Sequence, residues 1–413
     1  MISSEKPGKT AAPAAPKAPS EKLIVFLVGA IQFVNVLDFV MVMPLGPDFA
    51  IALGIPTSNI GLVGGSYTAA AAVAGVIGSL FLDRFDRRVA LAVCMLGLVI
   101  GTALGGFATG LTTLLLARIV AGAFGGPATS LSLAVIADAV PAARRGKALG
   151  AVMGAFSIAS VLGVPAGLEL SRLFGWRAPF FGVAALGLLL TVCAIHFMPP
   201  MRQHLNAPRR VGPKVKLFDS ITGISLLNTA VIMAGVFAVV PNISTFVQHN
   251  LGYPRDRIGL LYLVGGAASF VVMRIVGALV DRYGATRLVV LGTALHAVAL
   301  VSAFVYPVTW MPVLLVFTLY MLSGSVRMVP MQTLASRVPL PEQRARFMSA
   351  QSAVQHAASA LGATAASLVL VAAPDGRLLG MAQVAWAALF LACLVPVGAW
   401  LLERRVNARA AQP

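Results

Sequence analysis

Two oppositely charged residues stand within long apolar runs of this sequence, where a charge needs a physical reason. Asp38 lies in the run 23–44, and Arg118 lies in the run 112–137. If each run crosses a membrane as a helix, a charge near its centre costs at least about 2.5–3.5 kcal/mol. At about 1.5 Å per residue, Asp38 lies roughly 24 Å from one membrane face and Arg118 roughly 9 Å from the other. The two depths sum to about the 30 Å thickness of the hydrocarbon core, so the two side chains can meet at one level.

An acid beside an arginine inside a membrane is able to carry a proton. Burial favours the neutral acid and Arg118 favours the carboxylate, so a change of conformation or a bound cation would drive proton release. The alternative is a permanently neutralised structural pair. Gln32 and Asn35 precede Asp38 by six and three residues. This spacing puts the three residues near one helical face, as expected of a polar stripe that faces a cavity.

The second half of the sequence has arginines but no acid within its apolar runs. Arg274 and Arg327 fall at similar depth, where they would contact an anionic substrate, hold the cytoplasmic side closed, or direct their charges to the interface. His296 is expected to be a packing residue. The residues predicted to line a substrate cavity are Gln32, Asn35, Met41, Met153, Phe156, Asn228, Phe246, Arg327, Gln355 and His356.

Six mostly charged residues, 83–88, fill the short loop after the second apolar run, and Asp138 ends the fourth run. The C-terminal end of a helix disfavours an anion, so we expect Arg87 or Arg88 to lie beside Asp138. Such a pair would hold the cytoplasmic side closed and break on opening; the alternative is a solvated loop. The predicted cytoplasmic gate comprises Asp83, Arg84, Arg87, Arg88, Asp138, Asp281 and Arg282.

The elements that must position these residues are membrane helices. Of 413 residues, 58% are apolar and 11% are charged, against about 45–50% and 25% in soluble domains. This composition excludes an ordinary soluble enzyme, a disordered chain and a nucleic-acid-binding module. The three cysteines are widely spaced in apolar runs, so neither a disulfide framework nor a metal site is expected. The runs long enough to span a bilayer are 23–44, 59–82, 89–109, 112–137, 147–170, 178–198, 219–248, 257–280, 287–306, 311–336, 346–372 and 378–402.

The distribution of basic residues orients the chain. With a cytoplasmic N-terminus, 23 of the 31 Lys and Arg residues fall in inside segments, 5 in outside loops and 3 within spans. This asymmetry predicts that both termini are cytoplasmic, and it accounts for the formal charge of +17 without nucleic acid. The predicted organisation is a disordered tail (1–21), a six-helix bundle (22–198), a cytoplasmic linker (199–218), a second six-helix bundle (219–402) and a tail (403–413).

The two predicted bundles repeat each other with an offset of 198 residues. The tripeptide Asp83-Arg84-Phe85 returns as Asp281-Arg282-Tyr283, and residues 140–141 (Val-Pro) return at 338–339. Two parallel halves of six spans are typical of a large class of transporters, in which the substrate site lies between the halves near the membrane midplane.

These features resemble the major facilitator superfamily over essentially all of residues 22–402. The loop after the second span is similar to the family's signature Gly-x-x-x-Asp-Arg-x-Gly-Arg-Arg, with Ser79 and Asp86 where glycines are usual. The matching positions are Asp83, Arg84, Arg87 and Arg88. The resemblance implies an all-α polytopic membrane protein with twelve transmembrane helices in two pseudo-symmetric six-helix bundles.

The fourth and fifth spans carry two further motifs of that family. Arg118 followed by small residues resembles the span-four signature; the small residues are Gly122, Gly125 and Gly126. The fifth span resembles the motif typical of the antiporter branch, at Gly154, Gly163, Pro165 and Gly167. Glycines at four-residue spacing let membrane helices approach closely, and Pro165 favours a bend. The branch implied is that of the drug:proton antiporters and the related sugar-efflux permeases.

No phosphate-binding Gly-x-x-x-x-Gly-Lys loop and no loop large enough for a catalytic domain occurs in the sequence. We therefore expect a transporter rather than an enzyme, with no cofactor and with the proton gradient as its energy source. The leading hypothesis is a proton-coupled exporter of small amphipathic, neutral or cationic compounds, of the kind that gives multidrug resistance. It would be a monomer in the lipid bilayer of a bacterial-type inner membrane, without nucleic acid. One alternative is a carrier of an anionic or polar metabolite, by symport, exchange or uniport through the intramembrane arginines; another is a membrane receptor or scaffold.

Overall fold

The structure is a computed structural model that describes residues 21–202, 205, 219–307, 310–339 and 344–410. The N-terminal half has six long helices: α1 (Glu21–Met41), α2 (Ile60–Phe81), α3 (Arg87–Gly106), α4 (Leu111–Ala139), α5 (Ala142–Met153, Ala155–Ile158, Ala159–Gly163 and Val164–Phe174) and α6 (Ala178–Phe197). A short helix, Gly46–Leu53, lies between α1 and α2. The C-terminal half consists of α7 (Ser220–Val239, Ile243–Thr245 and Phe246–Asn250), α8 (Ile258–Tyr283), α9 (Ala285–Leu300 and Val301–Val305), α10 (Val313–Ser336), α11 (Arg344–Val369) and α12 (Met381–Ala410).

Every predicted span corresponds to one of these twelve helices. In the described part of the chain, 11 helices are long and apolar enough to cross a membrane. The remaining one is α11, which has 26 residues but carries polar side chains such as Gln351, Gln355 and His356. Its length, about 39 Å at 1.5 Å per residue, is sufficient to cross the hydrocarbon core.

The last connection and the last helix differ from the predicted bounds. The residues between α11 and α12 form a two-stranded antiparallel hairpin, β1 (Val371–Ala372) and β2 (Leu378–Leu379). The side chain of Asn250 fixes this hairpin, because it donates to the Leu378 carbonyl oxygen and accepts from the Leu378 amide. At the other end, α12 continues past the predicted end of the span at 402 and reaches Ala410. The tail at 1–21 and the linker at 199–218 lie almost entirely outside the described residues.

The fifth helix is interrupted where its sequence predicts a bend. A turn of π-helix covers Ala159–Gly163, and Pro165 lies at the start of the segment that follows. Proline has no amide hydrogen, so the helix cannot keep its regular bonding there and widens locally. The small residues of this segment contact α1: a Cβ atom on Gly163 would lie 2.6 Å from the Leu37 side chain, and one on Gly167 would lie 3.8 Å from Met41.

The two halves meet at the end of the molecule opposite Glu21 and Ala410. We call this end the outer end and the other the inner end. Near the outer end α2 and α11 pack closely, because Gly61 faces the backbone of Ala363. An ion pair between Asp48 and Arg255 also joins the halves there. One apolar core extends through the N-terminal half into the outer part of the C-terminal half, and a second core occupies the inner part of the C-terminal half.

Candidate functional site

The predicted acid–arginine pair is formed between α1 and α4. Arg118 Nη1 donates to both carboxylate oxygens of Asp38 at 3.0 Å, and Arg118 Nη2 donates to the Asp38 backbone carbonyl oxygen at 3.3 Å. Asp38 is 0% exposed and Arg118 is 1% exposed. The depths estimated from the sequence therefore identified two residues that are in contact in the structure. Their burial means that neither charge is stabilised by water, so each depends on the other.

Two further side chains contact the pair, while Arg118 Nε has no hydrogen-bond partner among the described residues. Thr102 on α3 lies with Oγ1 at 2.7 Å from Asp38 Oδ1. The ring of Tyr67 on α2 lies under the Arg118 guanidinium, with 4.7 Å between the ring centroid and Cζ. The Tyr67 hydroxyl donates to Asn35 Oδ1 at 3.0 Å, and Asn35 Nδ2 donates to the Gly125 carbonyl oxygen at 2.9 Å. Four helices of the N-terminal half thus contribute to one buried polar cluster.

The glycines after Arg118 make this cluster possible. A Cβ atom on Gly125 would lie 2.2 Å from the Tyr67 hydroxyl, and a Cβ atom on Gly122 would lie 2.2 Å from the Tyr67 carbonyl oxygen. Only residues without a side chain allow α2 to approach α4 so closely. The small residues of the span-four motif therefore place the tyrosine ring against the arginine.

The sequence did not identify Tyr67 or Thr102 as site residues. Tyr67 is the one aromatic residue of α2 before Phe81, in a segment rich in alanine and glycine, and this isolation is a usable signal. Thr102 gives no signal by itself, because threonine is common in membrane helices, where its hydroxyl bonds the preceding turn.

The residues predicted to line a substrate cavity do not share one environment in this structure. Met153 and Phe156 on α5 are exposed, as is Gln355 on α11, whereas His356 is half-buried. The other six are buried within the halves; they are Gln32, Asn35, Met41, Asn228, Phe246 and Arg327. Asn35 in particular points towards α4, as its hydrogen bonds show. Gln32 Oε1 has no hydrogen-bond partner.

Phe246 lies apart from the other predicted cavity residues. Its ring packs against Phe304 with centroids 5.1 Å apart. It lines a cavity of about 610 Å³ near the outer end of the C-terminal half, together with Asn250 and Met381. None of the other nine predicted residues lines this cavity. Asn228 contacts Met331 instead, with 3.5 Å between Nδ2 and the sulfur.

The C-terminal half also buries an arginine, Arg327, which is 2% exposed. Its Nε and Nη1 atoms have no hydrogen-bond partner. His296 bonds Ser323 at 2.8 Å and packs against the Tyr320 ring, as expected of a packing residue. Arg274 is exposed and lies over the Phe270 ring of its own helix, with 5.0 Å between Cζ and the centroid.

The predicted pair at the inner end of the N-terminal half is present, since Arg87 Nε donates to Asp138 Oδ2 at 3.2 Å. It joins the start of α3 to the end of α4, within one half. Arg88 instead donates to the carbonyl oxygens of Ile195 and Met198 at the end of α6. Asp281 and Arg282 are exposed, and Arg282 lies over the Tyr283 ring of its own helix. Arg84 is exposed, and the side chain of Asp83 lies outside the described residues.

Asp86, which stands where the family signature has a glycine, caps α3. Its carboxylate accepts from the amides of Arg88 and Met201 and from Arg202 Nε, at 2.9, 3.1 and 3.1 Å. Burial alone would raise the pKa of Asp86, but these hydrogen bonds together outweigh burial and hold its pKa below its usual value. The residue ties the start of α3 to the chain after α6.

No ligand set for a metal ion, of three or more His, Cys, Asp or Glu side chains, occurs among the residues that the structure describes. The arrangement can instead bind one proton or hold one buried ion pair.

Comparison with known proteins agrees with the fold. The family model described as Major Facilitator Superfamily matches residues 28–363 and 225–412. A D-xylose–proton symporter superposes with a TM-score of 0.74 at 18% identity, covering 94% of this chain and 98% of that one. A bacterial homolog of the human lysosomal transporter Spinster, in an inward-facing and occupied conformation, superposes with a TM-score of 0.72 at 16% identity, covering 94% of this chain and 98% of that one. The human organic anion transporter MFSD10 superposes with a TM-score of 0.64 at 18% identity, covering 93% of this chain and 100% of that one. The predicted fold is thereby confirmed, and the chain belongs to the Major Facilitator Superfamily as a multi-pass membrane transporter of small molecules.

Proposed function

We propose that this protein is a proton-coupled exporter, an antiporter that moves small amphipathic, neutral or cationic compounds by alternating access. The observation that supports it best is the Asp38–Arg118 pair, in which one acid is buried at membrane depth against one arginine. A buried carboxylate that either a proton or an arginine can neutralise gives the chain a site for taking up and releasing a proton.

In the proposed cycle, the pair couples proton uptake to movement of the halves. When Asp38 takes up a proton, its attraction to Arg118 weakens, while the bond from Arg118 to the Asp38 backbone carbonyl remains. A buried cation without a counter-charge is costly, so protonation favours a conformation in which Arg118 gains water or another partner. Loss of the proton restores the pair. This difference in stability between two conformations is what lets a proton gradient drive the cycle.

Alternating access also requires the halves to separate at the outer end. The contacts that must break include the Asp48–Arg255 ion pair, whose carboxylate also accepts from the Ser171 hydroxyl at 2.7 Å. The residues of the predicted cytoplasmic gate are given a different role. Because Arg87 and Asp138 belong to the same half, we propose that they fix the inner ends of α3 and α4 while the halves rotate.

The proposed substrate class rests on the side chains that the inner part of the molecule exposes. Met153 and Phe156 are 48% and 51% exposed on α5. Flexible methionine and aromatic side chains suit amphipathic compounds of varied shape. Release of the proton from Asp38 as a singly charged cationic compound binds would leave the net charge of the site unchanged, which suits exchange for such a compound.

The location and assembly are part of the same proposal. The excess of Lys and Arg in alternate loops supports a bacterial-type inner membrane protein with both termini cytoplasmic. One chain supplies both halves, which supports a monomer. Efflux of toxic compounds, with multidrug resistance as its result, is the cellular role proposed.

The test is proton release from acidified everted vesicles on addition of compounds from a panel of lipophilic cations, sugars and organic anions. We expect at least one compound to release protons with the wild type and none with Asp38→Asn. The control is Asp375→Asn, which removes an acid of the outer hairpin that pairs with Arg377; its response should equal the wild type. Proton-driven export at full rate in Asp38→Asn would overturn the proposal.

A second candidate function is a carrier of an anionic or polar metabolite. The observation that favours it is Arg327, whose Nε and Nη1 atoms are buried without a hydrogen-bond partner. An anionic group placed beside either atom would accept its hydrogen bond. The two candidates differ in one experiment: loss of organic-anion binding in Arg327→Ala, together with nearly normal transport in Asp38→Asn, supports the second and excludes the first.

A further inference from the structure

The hydroxyl of Thr102 lies between two oxygen atoms and has one proton to donate. Its Oγ1 atom is 2.7 Å from Asp38 Oδ1 and 2.8 Å from the carbonyl oxygen of Leu98, one turn earlier in α3. A hydroxyl donates one hydrogen bond but can accept others, so it donates to only one of these oxygens at a time. Thr102 is 1% exposed, which keeps it from exchanging either partner for bulk water.

The two possible arrangements match the two protonation states of Asp38. When Asp38 is ionised, its carboxylate only accepts, so Thr102 must donate to it. When Asp38 is protonated, its hydroxyl can donate to Thr102 Oγ1, and Thr102 then donates to the Leu98 carbonyl oxygen. In both states one hydrogen bond joins Thr102 Oγ1 to Asp38. Only the hydroxyl hydrogen turns, so Thr102 keeps its side-chain rotamer.

We propose that Thr102 is a positioning residue for proton exchange at Asp38, because its hydroxyl reverses the direction of one hydrogen bond as the proton arrives or leaves. This inference rests on the proposed function and deepens it. The hydroxyl stabilises the carboxylate by donating a charge-assisted bond, so it helps to set the pH at which Asp38 takes up its proton.

Other groups also act on Asp38. Arg118 from α4 contacts it directly, and the Tyr67 ring from α2 lies against that arginine. The helix α1 has no other ionisable residue beyond Glu21 and Lys22. The helices packed around α1 carry further ionisable groups. Three of them are uncharged or weakly basic: Cys94, Cys193 and His196. The charged ones lie near the helix ends and include Arg87, Arg88, Asp138, Arg144, Arg145, Lys147, Glu169 and Arg172. Removing the threonine hydroxyl leaves all of these groups in the chain, so it isolates one contribution.

The experiment is an infrared pH titration of the purified full-length protein. The carbonyl band of the protonated carboxylic acid is followed, with Asp38→Asn subtracted as the blank. In Thr102→Val the carboxylate loses a donor, so we expect the midpoint to move to higher pH by about one unit. Thr102→Ser keeps the hydroxyl and should keep the wild-type midpoint. If the valine variant does not fold, Thr102→Ala removes the same hydroxyl with less crowding.

A matched control is available on α6. The Thr191 hydroxyl is buried and donates to the Gly187 carbonyl oxygen at 2.7 Å, the same bond to the preceding turn but without a carboxylate. Thr191→Val should therefore leave the midpoint unchanged. An unshifted midpoint in Thr102→Val, with a wild-type band that titrates, overturns the inference and leaves the proposed function standing. A wild type without any titrating band overturns the proposed function and this inference together.

Discussion

The two halves of the molecule share one scaffold but differ in what they bury. Their helices correspond at nearly constant offset: α2 begins at Ile60 and α8 at Ile258, and α3 begins at Arg87 and α9 at Ala285. At the 198-residue offset of the sequence repeat, the N-terminal cluster falls on apolar positions. Asp38, Thr102 and Arg118 correspond to Val236, Leu300 and Val316.

This difference distinguishes the residues that the fold requires from those that serve the site. The apolar positions show that six helices of this kind pack without a buried ion pair. The pair in the N-terminal half is therefore not needed for the architecture, and a buried pair adds little stability over apolar residues of similar size. Its presence in one half supports a function for it. The C-terminal half buries its arginine at a different place, Arg327, which the offset aligns with Thr129.

The strongest test of this comparison is to remove each buried arginine in turn. Arg118→Met leaves the Asp38 carboxylate buried without its partner, and we expect a loss of about 3–5 kcal/mol in the free energy of unfolding near neutral pH. Arg327→Met leaves no carboxylate behind, because Arg327 forms no ion pair with any residue that the structure describes, and we expect little or no loss. Thermal unfolding of the detergent-purified variants, followed by intrinsic fluorescence, measures both.

The double variant Asp38→Asn with Arg118→Met is the control for this pair of measurements. Removing both charges should recover most of the stability lost in the single variant. Equal losses in Arg118→Met and Arg327→Met would show that Arg327 has an ionic partner of its own, and the contrast between the halves would then be wrong.

A smaller effect is expected from the glycines that bring α2 against α4. A Cβ atom on Gly126 would lie 2.6 Å from the Ala71 carbonyl oxygen, so Gly126→Ala must displace α2. We expect a loss of about 1–3 kcal/mol, as for other overpacked positions. The repeat-equivalent residue on α10 is Gly324, which has no atom within 4 Å of an added Cβ. Gly324→Ala should leave the unfolding temperature unchanged or raise it; a loss as large as that of Gly126→Ala would contradict the packing difference.

The fold was predictable because it depends on quantities that a sequence carries directly. The lengths of the apolar runs predict the spans, and the linker at 199–218 and the 198-residue repeat predict the two bundles. The boundary at 372–378 was less predictable: the apolar residues there form a hairpin, because Asn250, far away in the chain, bonds both backbone groups of Leu378. Such a tertiary contact has no local signal.

The site was predictable only in part, for a related reason. Depth along a helix follows from counting residues, and this was enough to pair Asp38 with Arg118. Rotation about the helix axis does not follow from counting, so Asn35 was expected at a cavity although it faces Gly125. Thr102 and Tyr67 depend on which neighbouring helix approaches, and that information is in the packing of glycines rather than in the residues themselves.

The smallest expected effect concerns the helix caps at the inner end, where the halves use different residues for one task. Asp86 immediately precedes α3 and caps its N-terminus, whereas α9 is capped by Glu403 on α12, which accepts from the amides of Ala285 and Thr286.

Asp86→Ala should lower the free energy of unfolding by about 0.5–2 kcal/mol at neutral pH. Because its pKa is lowered in the folded protein, this contribution is complete above the unfolded value of about 3.9 and is lost as the pH falls through the lower, folded pKa. Unfolding measured against pH should therefore show the penalty of Asp86→Ala disappearing in acid, while Asp281→Ala, at an exposed acid of the other half, shows none at any pH. A penalty for Asp86→Ala that persists unchanged in acid would mean that the carboxylate acts by its shape and not by its charge.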